Sequence, residues 1–120
     1  MWESWQVDGV DQLRVTFPAR AGFGRIGRVA VAGLALRLGY DVGTVERLRM
    51  AVDAAVAELA GPGRITLVAA WDRTALTVQL SNPDAGLDED RQLQARRSLA
   101  EWVGEPEVER SAMRLVIPVG

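Results

Sequence analysis

The chain has 120 residues, enough for one domain, and its 48% apolar and 25% charged residues are typical of a globular protein. The formal net charge of −2 gives no electrostatic reason to expect nucleic acid or a membrane surface as a partner. Cys and His are absent and Arg supplies all 14 basic residues, which excludes disulfides, a Cys nucleophile, a His base and Lys-dependent chemistry.

The first two predicted elements are a strand and a helix. Apolar residues alternate with polar ones in residues 13–17 until Pro18, which predicts a strand with one buried face. In residues 22–38 apolar residues recur at helical spacing, and Gly39 is expected to follow this helix as the C′ residue. The predicted apolar stripe of this helix consists of Phe23, Ile26, Ala30, Leu34 and Leu38.

A second helix is predicted to begin at Thr44 as the N-cap and to end before the Gly-Pro-Gly turn of residues 61–63. Glu46 is expected in the first turn, where the helix dipole favours an anion. The apolar stripe of this helix consists of Val45, Leu48, Val52, Ala55, Val56 and Leu59.

The rest of the chain predicts a hairpin, a polar loop, a third helix and two strands. These are residues 65–71 and 76–80 (hairpin), 82–90 (loop), 91–103 (helix), 106–111 and 113–117 (strands). The resulting order, β-α-α-β-β-α-β-β, predicts a single two-layer α/β domain with a mostly antiparallel sheet and helices on one face.

The N-terminal region bears on localisation and assembly. Glu3 and Asp8 do not fit a signal peptide, and no apolar run of about twenty residues exists, so we expect a cytoplasmic protein. Trp2 and Trp5 precede the first strand. They are expected to pack on the domain's own core, and a dimer interface is the alternative.

Residues 22–28 contain the pattern GxGxxG, whose glycines let a backbone approach a pyrophosphate. A dinucleotide-binding fold requires the first Gly directly after a parallel strand, but residues 18–21 intervene. It also requires an acidic residue ending a second strand, where this chain has its predicted second helix. The glycines are interpreted as small residues for close helix–sheet packing, with dinucleotide binding as the remote alternative.

Four segments together resemble bacterial anti-sigma regulatory factors, the serine-kinase-like members of the GHKL ATPase superfamily. They are residues 15–20 (VTFPAR), 38–41 (LGYD), 45–53 (VERLRMAVD) and 86–88 (GLD). The resemblance implies a Bergerat-type (GHKL ATPase-like) two-layer α/β sandwich.

The resemblance also implies positions for catalysis on the second helix. The family carries a Glu that activates chemistry and, four residues later on the same helix face, an Asn that holds Mg²⁺. Here Ala54 and Glu58 occupy these positions. Ala54 cannot accept a proton, and Glu58 would place a further negative charge beside the phosphates, although a carboxylate suits Mg²⁺.

The family's adenine-binding Asp-x-Gly-x-Gly box corresponds to residues 82–86. In an alignment without gaps, Asn82 replaces the Asp, Asp84 replaces the first Gly, and the last Gly is retained as Gly86. An alignment shifted by two residues places an Asp at 84, but it loses the match to GLD. Asn82 can offer an amide oxygen to an amine. These three residues and Glu58 are the predicted vestigial nucleotide site.

The loop that follows is short and acidic, with Asp88, Glu89 and Asp90 in succession. These carboxylates repel a triphosphate, and the Gly-rich lid that the family has here is missing. The pocket is therefore interpreted as decayed: no metal site and no cofactor are expected, with ATP and Mg²⁺ only if the pocket still functions.

The resulting hypothesis is a non-catalytic regulatory domain that binds a sigma factor or an anti-anti-sigma-type protein, with a homodimer also compatible. Arg20, Arg25 and Arg28 are the candidate partner-binding residues because Arg pairs with carboxylates in a bidentate manner, although a solvated helix face is the simpler interpretation. The alternatives are a protein serine kinase, in which Glu58, Asp53 or Asp84 replaces the lost groups, and an ATP-binding sensor without turnover.

Overall fold

The computed structural model describes residues 11–119 and places eight elements in the predicted order. They are β1 (Asp11–Pro18), α1 (Gly24–Arg37), α2 (Val42–Leu59), β2 (Arg64–Trp71), β3 (Ala75–Ser81), α3 (Glu89–Ala100), β4 (Glu107–Val108) and β5 (Ala112–Pro118). The predictions made for Trp2 and Trp5 lie outside the described residues.

The strands form one antiparallel sheet in the order β1-β2-β3-β5-β4. The hairpin register places Leu67 opposite both Val15 and Leu80, so apolar side chains line up across one face. This confirms an α/β domain with an antiparallel sheet.

The core lies between that face and the three helices, which confirms that the helices cover one side of the sheet. Its largest buried side chains come from all the helices and from alternate strand positions. They include Phe17, Ile65, Leu67, Leu80, Met113 and Leu115 from the strands, and Val31, Leu48, Leu59 and Leu99 from the helices. No helix within residues 11–119 has the length and apolar character that crossing a membrane requires.

The predicted buried face of α1 is wrong by one position. Gly27, Val31 and Ala35 are buried, whereas Phe23 is 40% and Ile26 is 43% exposed. The reason is the short distance between α1 and the sheet: a Cβ on Gly27 would lie 3.1 Å from Leu67 Cδ1. Only a small residue can therefore face inward at position 27, and Phe23 and Ile26 remain near the surface.

The C-terminus of α1 follows the prediction. Gly39 has a φ of 91°, and its N–H donates to the carbonyl of Leu36 at 3.1 Å. The N–H of Tyr40 donates to the carbonyl of Ala35 at 3.2 Å, which completes a Schellman motif. The left-handed conformation is the reason that Gly is required here.

The predicted start of α2 is wrong by three residues. Asp41, not Thr44, is the N-cap: its Oδ1 accepts the N–H of Thr44 at 2.7 Å. This hydrogen bond lowers the pKa of Asp41. Glu46 consequently lies beyond the first turn. The prediction placed the cap at Thr44 because the apolar periodicity begins only at Val45. Asp is, however, a stronger N-cap than Thr.

The helix α3 begins two residues before the predicted start. Asp88 is its N-cap and accepts the N–H of Arg91 at 2.8 Å, while Glu89 and Asp90 occupy the first turn. The acidic run is therefore favourable to the helix, because carboxylates stabilise the N-terminal end of the dipole.

Candidate functional site

We define the Asn82 loop as residues 82–88, which connect β3 to α3 and contain most of the predicted nucleotide site. Asn82 is fully buried. Its Nδ2 donates to the carbonyls of Leu59 at 2.9 Å and Pro62 at 3.0 Å, and its Oδ1 accepts the N–H of Asp84 at 3.0 Å. Both amide hydrogens are thus used to fasten the loop to the end of α2. A side chain without exposed surface presents no atom to an adenine.

Asp84 lies on the surface above Gly63. Gly63 has a φ of 88°, and a Cβ at this position would overlap the Asp84 carboxylate and lie 2.8 Å from Asn82 Oδ1. The loop therefore packs directly against the turn of residues 61–63, and only Gly allows this approach.

Gly86 lies in the part of the loop that contacts the segment before β5. The hydroxyl of Ser111 donates to the carbonyl of Ala85 at 2.6 Å, and the N–H of Leu87 donates to the carbonyl of Arg110 at 2.8 Å. A Cβ on Gly86 would lie 3.9 Å from Arg110 Nη2. The loop is thus fixed at both ends by hydrogen bonds.

Ala54 and Glu58 lie on α2, as the resemblance implies. Ala54 is half-buried against the core, and the backbone carbonyl of Glu58 accepts a long hydrogen bond of 3.5 Å from Arg91 of α3. Because Asn82 bonds the carbonyl of Leu59, the structure brings the end of α2 and the Asn82 loop together. Ala54 lies one turn earlier in α2.

These residues do not fit a magnesium–triphosphate. Ala54 offers no base and Asn82 is buried. The charged groups nearby are mixed: Asp84, Asp88, Glu89 and Asp90 carry carboxylates, whereas Arg91 lies against the end of α2 and Arg110 lies beside Gly86. Between residues 11 and 119 no group of three or more acidic side chains is arranged to hold a metal ion.

The three arginines proposed to bind a partner lie together. Arg20 follows β1, Arg25 and Arg28 lie in the first turns of α1, and all three line one groove of about 580 Å³ between α1 and α2. We call this the arginine groove. Its other lining residues are Ala21, Gly22, Gly24, Asp53, Val56, Ala57 and Ala60.

The charges of the arginine groove are not balanced. Arg28 forms an ion pair with Asp53, with 3.2 Å between Nη1 and Oδ2, and both side chains are about one-third exposed. Asp53 is the one carboxylate among the lining residues. Arg20 and Arg25 are exposed. The sequence identified the three arginines but not their ion-pair partner, because 25 residues separate Arg28 from Asp53.

The glycines of the GxGxxG pattern shape the neighbourhood of the groove. Gly22 has a φ of 93°, which turns the chain into α1. A Cβ on Gly24 would lie 2.9 Å from Val56 Cγ1, so α1 and α2 touch at this point. Close helix–sheet packing is thus confirmed for Gly27 alone, whereas Gly24 packs against α2 and Gly22 serves the turn before α1.

An apolar surface adjoins the groove on α1. Phe23, Ile26 and Val29 are between 40% and 62% exposed and lie at helical spacing. The helix carries Arg25, Arg28 and Arg37 but no acidic residue. This side of the molecule therefore combines exposed apolar surface with positive charge.

No protein-family model matches the chain, and no curated protein shows significant similarity to it. Two regions of the described residues therefore bear on function. One is a loop whose buried Asn82 side chain is hydrogen-bonded within the protein, and the other is a groove with two arginines in excess of its carboxylate.

Proposed function

We propose that the chain is a non-catalytic regulatory domain of the anti-sigma type, which acts by binding another protein. The partner is a sigma factor or a small anti-anti-sigma-type antagonist, as the sequence resemblance implies. The observation that carries the binding role is the arginine groove, with Arg20, Arg25 and Arg28 facing one cavity.

The architecture supports a Bergerat-type fold as the framework of this function. The element order and the antiparallel sheet with helices on one face are compatible with it. The second helix and the Asn82 loop meet, as a nucleotide site of that fold requires. The side chains at this meeting point support a loss of catalysis, since Ala54 offers no base and Asn82 is buried.

The character of the groove supports a protein partner with acidic side chains beside apolar ones. Arginine forms bidentate hydrogen bonds with carboxylates, and it is enriched among the residues that dominate binding energies at interfaces. The exposed Phe23, Ile26 and Val29 supply apolar area next to these charges. Such a mixture is typical of the centre and rim of a protein interface.

The test is a calorimetric titration of the purified chain with the sigma factors and small antagonists encoded in the same genome. The double variant Arg20→Glu/Arg25→Glu is expected to bind the partner at least about tenfold more weakly, a change of about 1.4 kcal/mol. The matched control is Arg96→Glu, an exposed arginine on α3 outside the groove. Unchanged affinity in the double variant, or the absence of binding to every candidate, would overturn the proposal.

A further inference from the structure

A second cavity lies at the opposite end of β3 from the Asn82 loop. It has a volume of about 520 Å³ and is formed where the connection between α1 and α2 meets the end of β5. The hydroxyl of Tyr40 donates to the carbonyl of Ile117 at 2.8 Å and fixes this connection to the sheet. We call this cavity the α1–α2 pocket. Neither the predicted nucleotide site nor the arginine groove includes it.

Two opposite charges line the α1–α2 pocket without forming an ion pair. A Cβ on Gly43 would lie 3.5 Å from Asp41 Oδ1 and 3.7 Å from Arg47 Nη1, so the two groups are near the same point. Asp41 and Arg47 are nevertheless absent from the ion pairs formed within residues 11–119. The carboxylate and the guanidinium therefore both border the pocket and both lie close to Gly43.

Both charged groups can form further hydrogen bonds. Asp41 accepts the N–H of Thr44, and the guanidinium of Arg47 donates from Nη2 to the Thr44 hydroxyl at 3.1 Å. A carboxylate accepts several hydrogen bonds and a guanidinium has five N–H donors, so these contacts do not exhaust either group. Asp41 is ionised at neutral pH, because its pKa is lowered from an ordinary Asp value that already lies far below 7.

The remaining wall of the pocket is apolar. Leu38, Ile117 and Val119 contribute to the main cavity. A smaller cavity of about 150 Å³ shares Thr44, Arg47, Ile117 and Pro118 with it and extends to Trp102 and Val103. An apolar group held near Arg47 can therefore extend along Ile117 toward an aromatic side chain.

We propose that the α1–α2 pocket binds a zwitterionic amino acid with an aromatic or branched apolar side chain. The carboxylate of this ligand pairs with Arg47 and the Thr44 hydroxyl, its ammonium group pairs with Asp41, and its side chain lies against Ile117 and Trp102. A site with a few polar groups and an apolar wall is the usual composition of a small-molecule pocket. This site is independent of the proposed binding of a protein partner.

The experiment is a calorimetric titration of the full chain with L-phenylalanine and L-leucine. 3-Phenylpropanoate and 2-phenylethylamine serve as probes that carry only one of the two charges. Three variants address the pocket: Asp41→Asn, which retains an efficient N-cap, Arg47→Gln and Gly43→Ala. Gly43→Ala adds a methyl group at ordinary contact distance from both charged groups. Arg49→Gln is the control on the same helix, because Arg49 pairs with Glu46 outside the pocket.

We expect at least one of the two amino acids to bind, and each pocket variant to weaken this binding at least about tenfold. Arg49→Gln is expected to leave the affinity unchanged, and both single-charge probes should bind more weakly than phenylalanine. Urea unfolding of each variant checks that the fold is retained. The proposal is overturned if neither amino acid binds at about 10 mM, or if a folded Arg47→Gln or Gly43→Ala variant binds as well as the unmodified chain.

Discussion

The Asn82 loop and the arginine groove both border α2, but they differ in whether their polar side chains are bonded within the protein or exposed. The Asn82 amide uses both hydrogens on backbone carbonyls, and Gly63 lets the loop close on the turn below it. In the groove, Arg20 and Arg25 are exposed and the one lining carboxylate already pairs with Arg28. Substitutions in the loop should therefore change folding, and substitutions in the groove should change binding.

The largest effect is expected for Asn82→Asp, which introduces the residue that the resemblance associates with adenine. The new carboxylate cannot donate to the carbonyls of Leu59 and Pro62, and it is buried without a cation. We expect a loss of about 3 kcal/mol in the free energy of unfolding at neutral pH, measured by urea denaturation.

In the same variant, the loss in the free energy of unfolding should become smaller as the pH falls. Burial raises the pKa of a carboxyl group, so the new Asp destabilises the fold above its folded-state pKa, and this destabilisation is relieved as the pH falls through that pKa. The control is Asp84→Asn at the exposed neighbour, with an expected change below about 0.5 kcal/mol. An Asn82→Asp variant as stable as the unmodified chain, or one that binds ATP tightly, would contradict the assignment of Asn82 to the fold.

A second comparison uses two glycines with similar backbone angles. Gly63 (φ 88°) and Gly22 (φ 93°) both occupy the left-handed region. A Cβ on Gly63 would overlap Asp84, whereas a Cβ on Gly22 would have no neighbouring atom within 4 Å. Gly22→Ala should destabilise by about 1 kcal/mol from backbone strain alone, and Gly63→Ala by about 2–3 kcal/mol. Thermal unfolding of both variants measures the difference. Equal destabilisation would show that the loop is not closed on the turn.

The sequence predicted the elements that have strong local periodicity. The hairpin of β2 and β3 and most of the α2 stripe followed from alternation and helical spacing, and both are confirmed. The buried face of α1 was wrong because Gly27 lies against Phe17 and Leu67 of the sheet, and a count of large apolar residues cannot detect such a close approach. The caps Asp41 and Asp88 were missed because they precede the apolar periodicity of their helices.

The candidate sites were predicted less completely, since they depend on contacts between distant residues. Arg20, Arg25 and Arg28 could be grouped from their proximity in the chain. The burial of Asn82 depends on carbonyls about 20 residues away, and the α1–α2 pocket requires β5 to meet the start of α2. Neither follows from local spacing.

A smaller effect is expected from Asp53→Asn in the arginine groove. This substitution removes the carboxylate that neutralises Arg28, so it should strengthen the binding of an acidic partner about threefold. Its effect on the free energy of unfolding should stay below about 1 kcal/mol, because the pair is partly exposed. Titration calorimetry measures the effect on partner binding, and urea denaturation of the same preparation measures the effect on the free energy of unfolding. Weaker partner binding in this variant would argue against a groove that selects carboxylates.

The smallest effect concerns acid stability at the end of the sheet away from the Asn82 loop. Hydrogen bonds from Thr44 lower the pKa of Asp41, and those from Thr74 lower the pKa of Asp72. A lowered folded-state pKa contributes stability above the unfolded value that is lost as the pH falls, here below about pH 4. The double variant Asp41→Asn/Asp72→Asn should show a shallower fall of the urea midpoint between about pH 4 and pH 2. An unchanged slope would contradict this origin of the acid sensitivity.

The central claim, that this domain acts by contact and not by nucleotide chemistry, is tested most directly by calorimetry with ATP and Mg²⁺. With Ala54 in place of a base and Asn82 buried, no binding is expected at about 1 mM nucleotide. Saturable binding of ATP with a micromolar Kd, abolished by substitution of Glu58 or Asp84, would contradict the account.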